Sequence, residues 1–448
     1  LHIIISKPAR LFEDCFELSP KYARQISYIN EVIAETRLDG ESFSPLCHKR
    51  RQKMKALVLG ASGQIGALCV QDLVEMCKVD VIASSRSLER TKKAIKDLKV
   101  DPNKVTTMEL DAKDLKKLDQ VMKKEKPDCV ANCAWYQTNL GVMEVAVKNG
   151  VHYTDLGGFF DTCLKQIEQN KKWIDAGVNA TVGLGSTPGM TNVAGGAGAK
   201  KLDKVDTIDL YCSWGNTLPV KEAGWPGYSI RTVIDEFTQN PIMWIGSKHQ
   251  KQPILSGEKE VIMPDPIGKV KSYYIKHSEP ATMGKNLRAK NVTFRIGFPE
   301  TDLNTFKTLV QLGFASAKAL KAGTGEVSPI DYLTAMYQNA ILAGRETPPD
   351  EPFEYDMFRI DCFGEKSGTP STVTYFIETW NDPKRNASSA RDTAVPPAIV
   401  SWWQGVKKIK EPGVYPAEVT VDPYPFFKEL GRRGIKVTEH FDVVTKFF

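Results

Sequence analysis

The turn Gly60-Ala-Ser-Gly63-Gln-Ile-Gly66 constrains this chain more than any other stretch. Before it stands Lys55-Ala-Leu-Val-Leu-Gly60, apolar almost throughout; after it, from Gln64 to Cys77, Ile65, Leu68, Cys69, Leu73 and Met76 recur on one helical face. A strand that bends directly into a helix needs residues without a Cβ at the bend, and the helix start offers unpaired N–H groups and the positive end of a dipole. That combination cradles a pyrophosphate, so Gly60, Ser62, Gly63, Gln64, Ile65 and Gly66 are expected to hold a dinucleotide. The spacing is G-x-x-G-x-x-G rather than the commoner G-x-G-x-x-G, and the strand–turn–helix setting carries the reading.

The pattern repeats downstream. Val79–Ala83, Val105–Leu110, Cys129–Cys133, His152–Asp155 and Ala180–Leu184 read as strands, alternating with helical stretches at 88–98, 114–123, 140–149 and 163–175. This alternation predicts an α/β protein with a Rossmann-type parallel sheet. After residue 200 the period changes to two, as in Thr207–Cys212, Val292–Ile296, Tyr355–Ile360 and Ser371–Glu378, with helices at 229–238 and 302–321. An inserted α/β domain with a mixed sheet fits, and an open face on such a sheet suits a homodimer. The charged loop Asn381-Asp-Pro-Lys-Arg-Asn386 marks its end, and an apolar helix at 397–409, with Trp402 and Trp403 as core, returns to the first domain. The expected division is therefore 54–200 for the dinucleotide domain, 201–386 for a substrate and dimerisation domain, and 387–448 for the returning segment. Residues 1–53 carry Pro8, Pro20 and Pro45, too many acids for a mitochondrial presequence, and in Ile3-Ile4-Ile5 too short an apolar run for a secretory signal. They are read as an extension outside the catalytic fold.

Lys+Arg 60 against Asp+Glu 54 gives a net charge of +6, spread along the chain with one short basic run at 48–53, which is not a nucleic-acid footprint. Nine cysteines lack the paired spacing of a zinc site, so no metal is expected, and they read as reduced thiols of a cytoplasmic enzyme. No apolar run approaches the roughly 18 residues of a membrane-spanning helix.

The second strand's tip chooses the cofactor. A ribose-gripping acid is expected about 20 residues after the glycines, but the sequence reads Ala83-Ser84-Ser85-Arg86-Ser87. Ser84, Ser85 and Arg86 suit a 2′-phosphate, which favours NADP over NAD. Arg90, Lys92 and Lys93 read as a solvated helix face. Asp111 and Ala112, past the third strand, are placed near the adenine, and Asn132, Cys133 and Ala134, at the fourth strand's tip, near the rest of the cofactor. Ligands in such sheets bind beyond the carboxyl ends of the strands. Tyr136, Gly157, Pro188 and Gly189, at or next to those tips, are therefore candidate substrate contacts.

These residues resemble the saccharopine dehydrogenase family. The likeness rests on the glycine turn, Val130-Ala-Asn-Cys-Ala134, Gly150-Val-His-Tyr-Thr-Asp155, Gly183-Leu-Gly-Ser-Thr-Pro-Gly-Met-Thr-Asn192, Tyr274-Ile-Lys-His-Ser-Glu279, Thr393-Ala-Val-Pro-Pro-Ala-Ile-Val400, Gly413-Val-Tyr-Pro-Ala-Glu418 and Phe427-Lys-Glu-Leu-Gly-Arg-Arg-Gly-Ile435, in that order. The resemblance implies an NAD(P)-dependent oxidoreductase acting at a carbon–nitrogen bond of an amino-acid-like or polyamine-like small molecule. Thr154-Asp-Leu-Gly-Gly-Phe-Phe160 departs from the Ser-Tyr segment of saccharopine reductases and argues against saccharopine itself as substrate. Reduction of another carbonyl or enoyl substrate, and a non-catalytic nucleotide-binding role, stand as alternatives.

Hydride transfer to an imine needs an acid/base group and fixed cations for substrate carboxylates. Asp155 ends the fifth strand and is either that group or a cap; His277 and Glu279 form either a base-and-orienter pair or part of a surface loop. A guanidinium suits a substrate carboxylate: Arg231, just past Gly224-Trp-Pro-Gly227 where the resemblance places substrate-carboxylate contacts, is the favoured candidate, and Arg295 on an alternating strand is either a second candidate or a residue facing solvent.

Overall fold

The computed structural model describes residues 54–217, 229–323, 325–343 and 351–443. The expectations for residues 1–53 and for the Gly224-Trp-Pro-Gly227 loop lie outside them.

Six strands alternate with helices in the first half: β1 Lys55–Leu59, β2 Asp80–Ser85, β3 Val105–Glu109, β4 Cys129–Asn132, β5 His152–Asp155 and β6 Asn179–Val182. All pair in parallel, in the spatial order 3-2-1-4-5-6 of the Rossmann fold. Leu57, Leu59, Ile82 and Val130 enter one hydrophobic cluster, while Ala56, Val58, Val81, Ala83 and Ala131 enter another on the opposite face. Burial on both faces is why these strands read as unbroken apolar runs. Residues 163–175, expected as one helix, form two, Phe160–Ile167 and Asn170–Asp175. The second begins at Asn170, whose Oδ1 accepts the Val414 N–H at 2.7 Å and so anchors a returning strand.

The second half supplies β7 Lys204–Asn216, β8 Ile242–Ile245, β9 Lys248–Lys251, β10 Lys259–Ile262, β11 Lys269–Tyr274, β12 Asn291–Gly297, the small hairpin β13 Leu320–Ala322 with β14 Gly325–Val327, then β15 Glu354–Lys366 and β16 Thr369–Trp380. The final segment adds β17 Gly413–Pro416 and β18 Lys436–Val443. Strands β10-β11-β12-β7-β15-β16-β18 line up in a mixed sheet of nine, with β8 and β9 attached through β12; β7 and β12 are the parallel pair. The last segment serves both sheets, since β17 extends the first beside β6 and β18 extends the second beside β16.

Three local expectations are corrected. The helix expected over 302–321 spans Glu300–Gln311, because Gly313 adopts φ +89° and ends it. The returning helix begins at Arg391 rather than Pro397 and ends at Gly405; its first residue donates to the carbonyls of Trp380, Arg433 and Gly434, which fixes the start ahead of the prolines. Arg295 does not face solvent. It is 7% exposed, with its guanidinium bonded to Asp209, Thr293, the Gly257 carbonyl and Tyr274, because β12 lies inside the sheet between β11 and β7.

Candidate active site

The glycine turn is built as its spacing requires. Gly60 has φ +77°, and a Cβ there would lie 2.8 Å from the Cys133 carbonyl oxygen; one on Gly66 would lie 2.3 Å from that of Gly60. The Gly63 N–H bonds the Gly60 carbonyl, and the helical ladder starts with Ala67 N–H donating to Gly63. Between them the N–H groups of Gln64, Ile65 and Gly66 have no acceptor among the described residues, and no side chain caps the helix Gln64–Glu75. Three bare amides at a positive dipole end fit a pyrophosphate. Gln64 also donates from Nε2 to Ser388 at 2.8 Å, and Ser62 is half-buried beside it.

At the tip of β2 the expectation for Ser84 is corrected. Its side chain is fully buried and its hydroxyl donates to the Val58 carbonyl at 3.1 Å, inside the sheet. Ser85 is likewise held inward, against Ser87 and Thr91. Arg86 remains at the mouth, where it lines a surface pocket of about 500 Å³ with Ser87, Leu88, Glu89, Lys92 and Glu109. Lys92, exposed on the helix Leu88–Asp97 as expected, lines the same pocket.

Neighbouring candidates shape the floor. Asp111 accepts from Lys113 N–H at 3.0 Å in a tight turn beside buried Ala112. Asn132 is buried, donates to Thr138 and Asn139, and accepts from Ala134 N–H at 3.3 Å, which fixes the Cys133–Ala134 peptide beneath Gly60. Gly157 (φ +102°) allows the Pro188 ring within 2.8 Å of where a Cβ would stand, and Gly189 at φ +135° crosses the Gly185 carbonyl with no room for a side chain.

The acid/base expectation for Asp155 is corrected as well. It is 1% exposed; Oδ1 accepts the N–H groups of Gly157 (2.8 Å) and Gly183 (2.9 Å), and Oδ2 accepts from Gln166. Burial pushes its carboxyl upward, opposed by those donors. Asp155 therefore clamps the β5 and β6 tip loops together and has no oxygen free for a substrate.

His277 and Glu279 do come together, away from the surface. His277 Nδ1 lies 2.6 Å from Glu279 Oε2, and the imidazole stacks on Phe294 at 4.0 Å. Glu279 Oε1 accepts from Thr187, on the loop after β6, and, at 3.1 Å, from Thr191 in the first turn of the helix Met190–Lys201. That loop stands at the carboxyl end of the parallel sheet, where ligands of such folds bind, so the pair is tied to the cleft. Burial pulls the imidazole toward its neutral form, but the Glu279 charge and hydrogen bond outweigh it and hold His277 above its usual range. Glu279 is held below its own for the reciprocal reason. Nε2 of His277 has no protein partner among the described residues.

Tyr136 stands across the cleft with its ring edge-on to Phe159 at 5.2 Å. Lys276 lies 5.7 Å over the Phe159 ring and donates to Asp161 (3.0 Å) and Gln239 (2.9 Å). The helix Ile230–Thr238 brings Arg231, paired with Asp331, and one turn later Asp235, which interacts with Tyr136 and Gln239. Sequence reasoning missed Thr187, Lys276 and Asp235. The first two sit inside motifs already singled out, and Asp235 shares a helix face with Arg231 at the i, i+4 spacing.

A family model described as the saccharopine dehydrogenase NADP binding domain matches residues 56–181, and one described as the saccharopine dehydrogenase C-terminal domain matches residues 185–435. The chain belongs to the saccharopine dehydrogenase family. It is an NADP-binding oxidoreductase. Among similar members, the carboxynorspermidine synthase of Vibrio cholerae is 28% identical over 421 residues, covering 85% of this chain and 96% of that protein. The carboxyaminopropylagmatine dehydrogenase of Synechocystis is 24% identical over 400 residues, with the same coverage of 85% and 96%. The fold is shared with the apo saccharopine dehydrogenase (L-Glu forming) of Saccharomyces cerevisiae, at a TM-score of 0.62 and 17% identity over 87% of this chain and 100% of that one. No helix among the described residues is long and apolar enough to cross a membrane.

Proposed function

We propose that this saccharopine dehydrogenase family member joins a carboxylate-bearing carbonyl compound to a polyamine-like amine by reducing the imine between them. The buried His277–Glu279 pair, hydrogen-bonded to the Thr187 loop, is the observation that carries the reading. The bare amides of Gln64, Ile65 and Gly66, with Arg86, Ser87 and Lys92 at the 2′-phosphate, suit NADP. Bound there, its reduced nicotinamide supplies a hydride. Protonated His277 supplies the proton that keeps the imine nitrogen cationic, and Glu279 holds the imidazole in orientation and charge. Arg231 retains guanidinium donors beyond its pairing with Asp331 and is assigned the substrate carboxylate. The names of the Vibrio and Synechocystis relatives support a polyamine-like product.

The test is oxidation of NADPH by the purified chain with a panel of carboxylate-bearing aldehydes and short amines. The expected result is consumption of the reduced coenzyme only when aldehyde and amine are both present. Consumption with an aldehyde alone identifies a carbonyl reductase instead. Binding of NADPH with no turnover across the panel leaves the non-catalytic reading. Arg231→Ala is expected to raise KM for the aldehyde about tenfold or more, as loss of a charge-assisted bond does, with the amine KM unchanged.

A homodimer is part of the same proposal. The outer face of the second sheet carries a shallow groove of about 340 Å³ in which Ile262, 66% exposed, lies among Arg359, Glu378 and Lys436. Apolar surface ringed by both signs of charge suits a self-complementary two-fold contact, and light scattering that finds a monomer rejects it. Among the described residues the seven cysteines are all free and six are buried, which supports a reducing, cytoplasmic setting.

A further inference from the structure

The segment Gly413-Val-Tyr-Pro-Ala-Glu418 ends on a carboxylate that the reaction above does not use. Glu418 follows β17 in the short helix Ala417–Thr420 and is 3% exposed. Its side-chain partners among the described residues are neutral: Oε2 accepts from Asn192 Nδ2 at 2.8 Å, Oε1 accepts from Asn286 Nδ2 at 3.0 Å, and the Thr282 hydroxyl bonds it too. Burial pushes the carboxyl up, and those three donors oppose the rise. A carboxylate kept dry by amides and a hydroxyl, with no cation, costs stability beside an apolar side chain filling the same space. What offsets that cost lies in where the donors sit.

They sit on two helices. Asn192 is in the first turn of Met190–Lys201, whose Thr191, together with Thr187 just before it, donates to Glu279; Thr282 and Asn286 belong to Glu279–Asn286, which begins at Glu279 itself. The Asn192 amide is fixed in orientation, because its Oδ1 accepts the Gly189 N–H at 3.0 Å. The same elements pack closely: a Cβ on Gly195 would lie 2.3 Å from Met283 Cε, and one on Gly196 would lie 3.2 Å from the Glu418 carbonyl oxygen. A carboxylate presents acceptors on both prongs, so a single side chain spaces the two helices. We propose that Glu418 is a positioning residue for the reaction: it bridges these helices and so sets where the His277–Glu279 pair stands against the Thr187 loop and the imine. This rests on the function proposed above, in which His277 delivers the proton. His277 and Glu279 are two residues apart and keep their mutual bond when the helix shifts. What changes is their distance from the reacting atoms, on which rates depend steeply.

The test is a single turnover. The chain loaded with NADPH is mixed with the aldehyde and amine that the wild type consumes, and the first-order rate constant of coenzyme oxidation is read, a quantity that does not depend on how much of the protein is folded. Glu418→Ala is expected to lower it about tenfold or more, with NADPH affinity and the alkaline limb of the pH profile as in the wild type. Glu418→Gln keeps an acceptor for Asn192 and turns its amide to Asn286, which is exposed and can turn over in answer, so most of the rate should return. Asn286→Ala, at an exposed helix end, cuts one arm without touching the core and should slow the step severalfold; it decides the matter should Glu418→Ala not fold. A wild-type rate constant in either alanine variant, whatever it loses in thermal stability, overturns the proposal. So does a Glu418→Gln as slow as Glu418→Ala, which would make the charge, and not the bridge, what matters. The function above fails separately. Wild-type rates in the variants of a chain that needs both aldehyde and amine remove Glu418 and keep that function. NADPH oxidation with the aldehyde alone replaces the function, and the variants are then read on that substrate. A wild type that oxidises NADPH with no substrate pair removes both.

Discussion

Nδ1 of His277 lies 2.6 Å from Oε2 of Glu279, whose side chain has no exposure at all. In so dry a place burial favours the neutral form of each, yet the mutual charge and hydrogen bond prevail: His277 is held above its ordinary range and Glu279 below its own. The imidazolium's contribution to stability is complete below the unfolded histidine value of about 6.5 and is lost as pH rises through the raised folded value. The carboxylate's contribution is present above the unfolded glutamate value of about 4.3 and is lost as pH falls through the lowered folded one. Between the two folded values the pair is charged, and His277 is a ready acid.

Glu279→Gln should therefore move the alkaline limb of kcat/KM for imine reduction to lower pH by about one unit, the equivalent of ~1.4 kcal/mol of lost imidazolium stabilisation. The pH profiles of wild type and variant check this. A limb that stays where it was removes Glu279 from its positioning role.

Coenzyme choice is expected to rest on Arg86 and Lys92, which share one pocket wall. Arg86→Glu should weaken NADPH by about a hundredfold, since a charge-assisted bond of ~1.5–3 kcal/mol is lost and a repulsion gained. NADH, without the phosphate, should change little. Lys92→Ala should act in the same direction more weakly. Fluorescence titration with both coenzymes decides; equal losses for NADPH and NADH would sink the phosphate assignment.

The first sheet was legible because its signals are local: a glycine turn, apolar strands, and intervening helices each shorter than about four turns. The site was less so, for three physical reasons. Side-chain direction at a strand end depends on parity and neighbours, which is how Ser84 came to bond Val58 while Arg86 reached the pocket. Contacts across the cleft join residues far apart in sequence; Thr187 and Glu279 are 92 positions apart, and no periodicity links them. Asp155 shows a third limit. Its position at a strand tip was read correctly, but the two glycine N–H groups that occupy its oxygen come from turns whose geometry only the folded chain reveals.

Asp155 as a clamp makes an unusual prediction. The Gln166 Oε1 atom is buried without a hydrogen-bond partner, while its Nε2 donates to Asp155. In Asp155→Asn the new amide keeps one oxygen for the glycine N–H groups, and a turned-over Gln166 offers Oε1 to the new Nδ2. Stability should stay within about 1 kcal/mol of wild type, and the pH profile should be unchanged. Asp155→Ala, which strands buried N–H groups, should cost ~1–3 kcal/mol. Denaturant unfolding separates the two, and an Asn variant that is folded but inactive would return Asp155 to the chemistry.

The junction of the last helix with the first is a buried ion pair whose loss should depend on pH. Arg433 Nε donates to both oxygens of Asp72 at 2.9 Å, with the two side chains 0% and 1% exposed. Burial pushes the Asp72 carboxyl above its usual range, and the Arg433 guanidinium is the main force pulling it back. Arg433→Met leaves that buried carboxyl only the more distant Arg385 guanidinium, at 3.9 Å, and its folded pKa climbs further from the unfolded value of about 3.9. The folded state then holds a proton that the unfolded chain releases, so stability must fall as pH rises above that unfolded value. The variant should lose about 3–5 kcal/mol near neutrality and less near pH ~5, where protonating Asp72 is easier. Adding Asp72→Asn, which removes the charge, should recover part of the loss and flatten the pH dependence. Thermal unfolding of the single and double variants across that range is the measurement, and a loss that is the same at every pH would mean that packing, rather than the stranded charge, is what Arg433 provides.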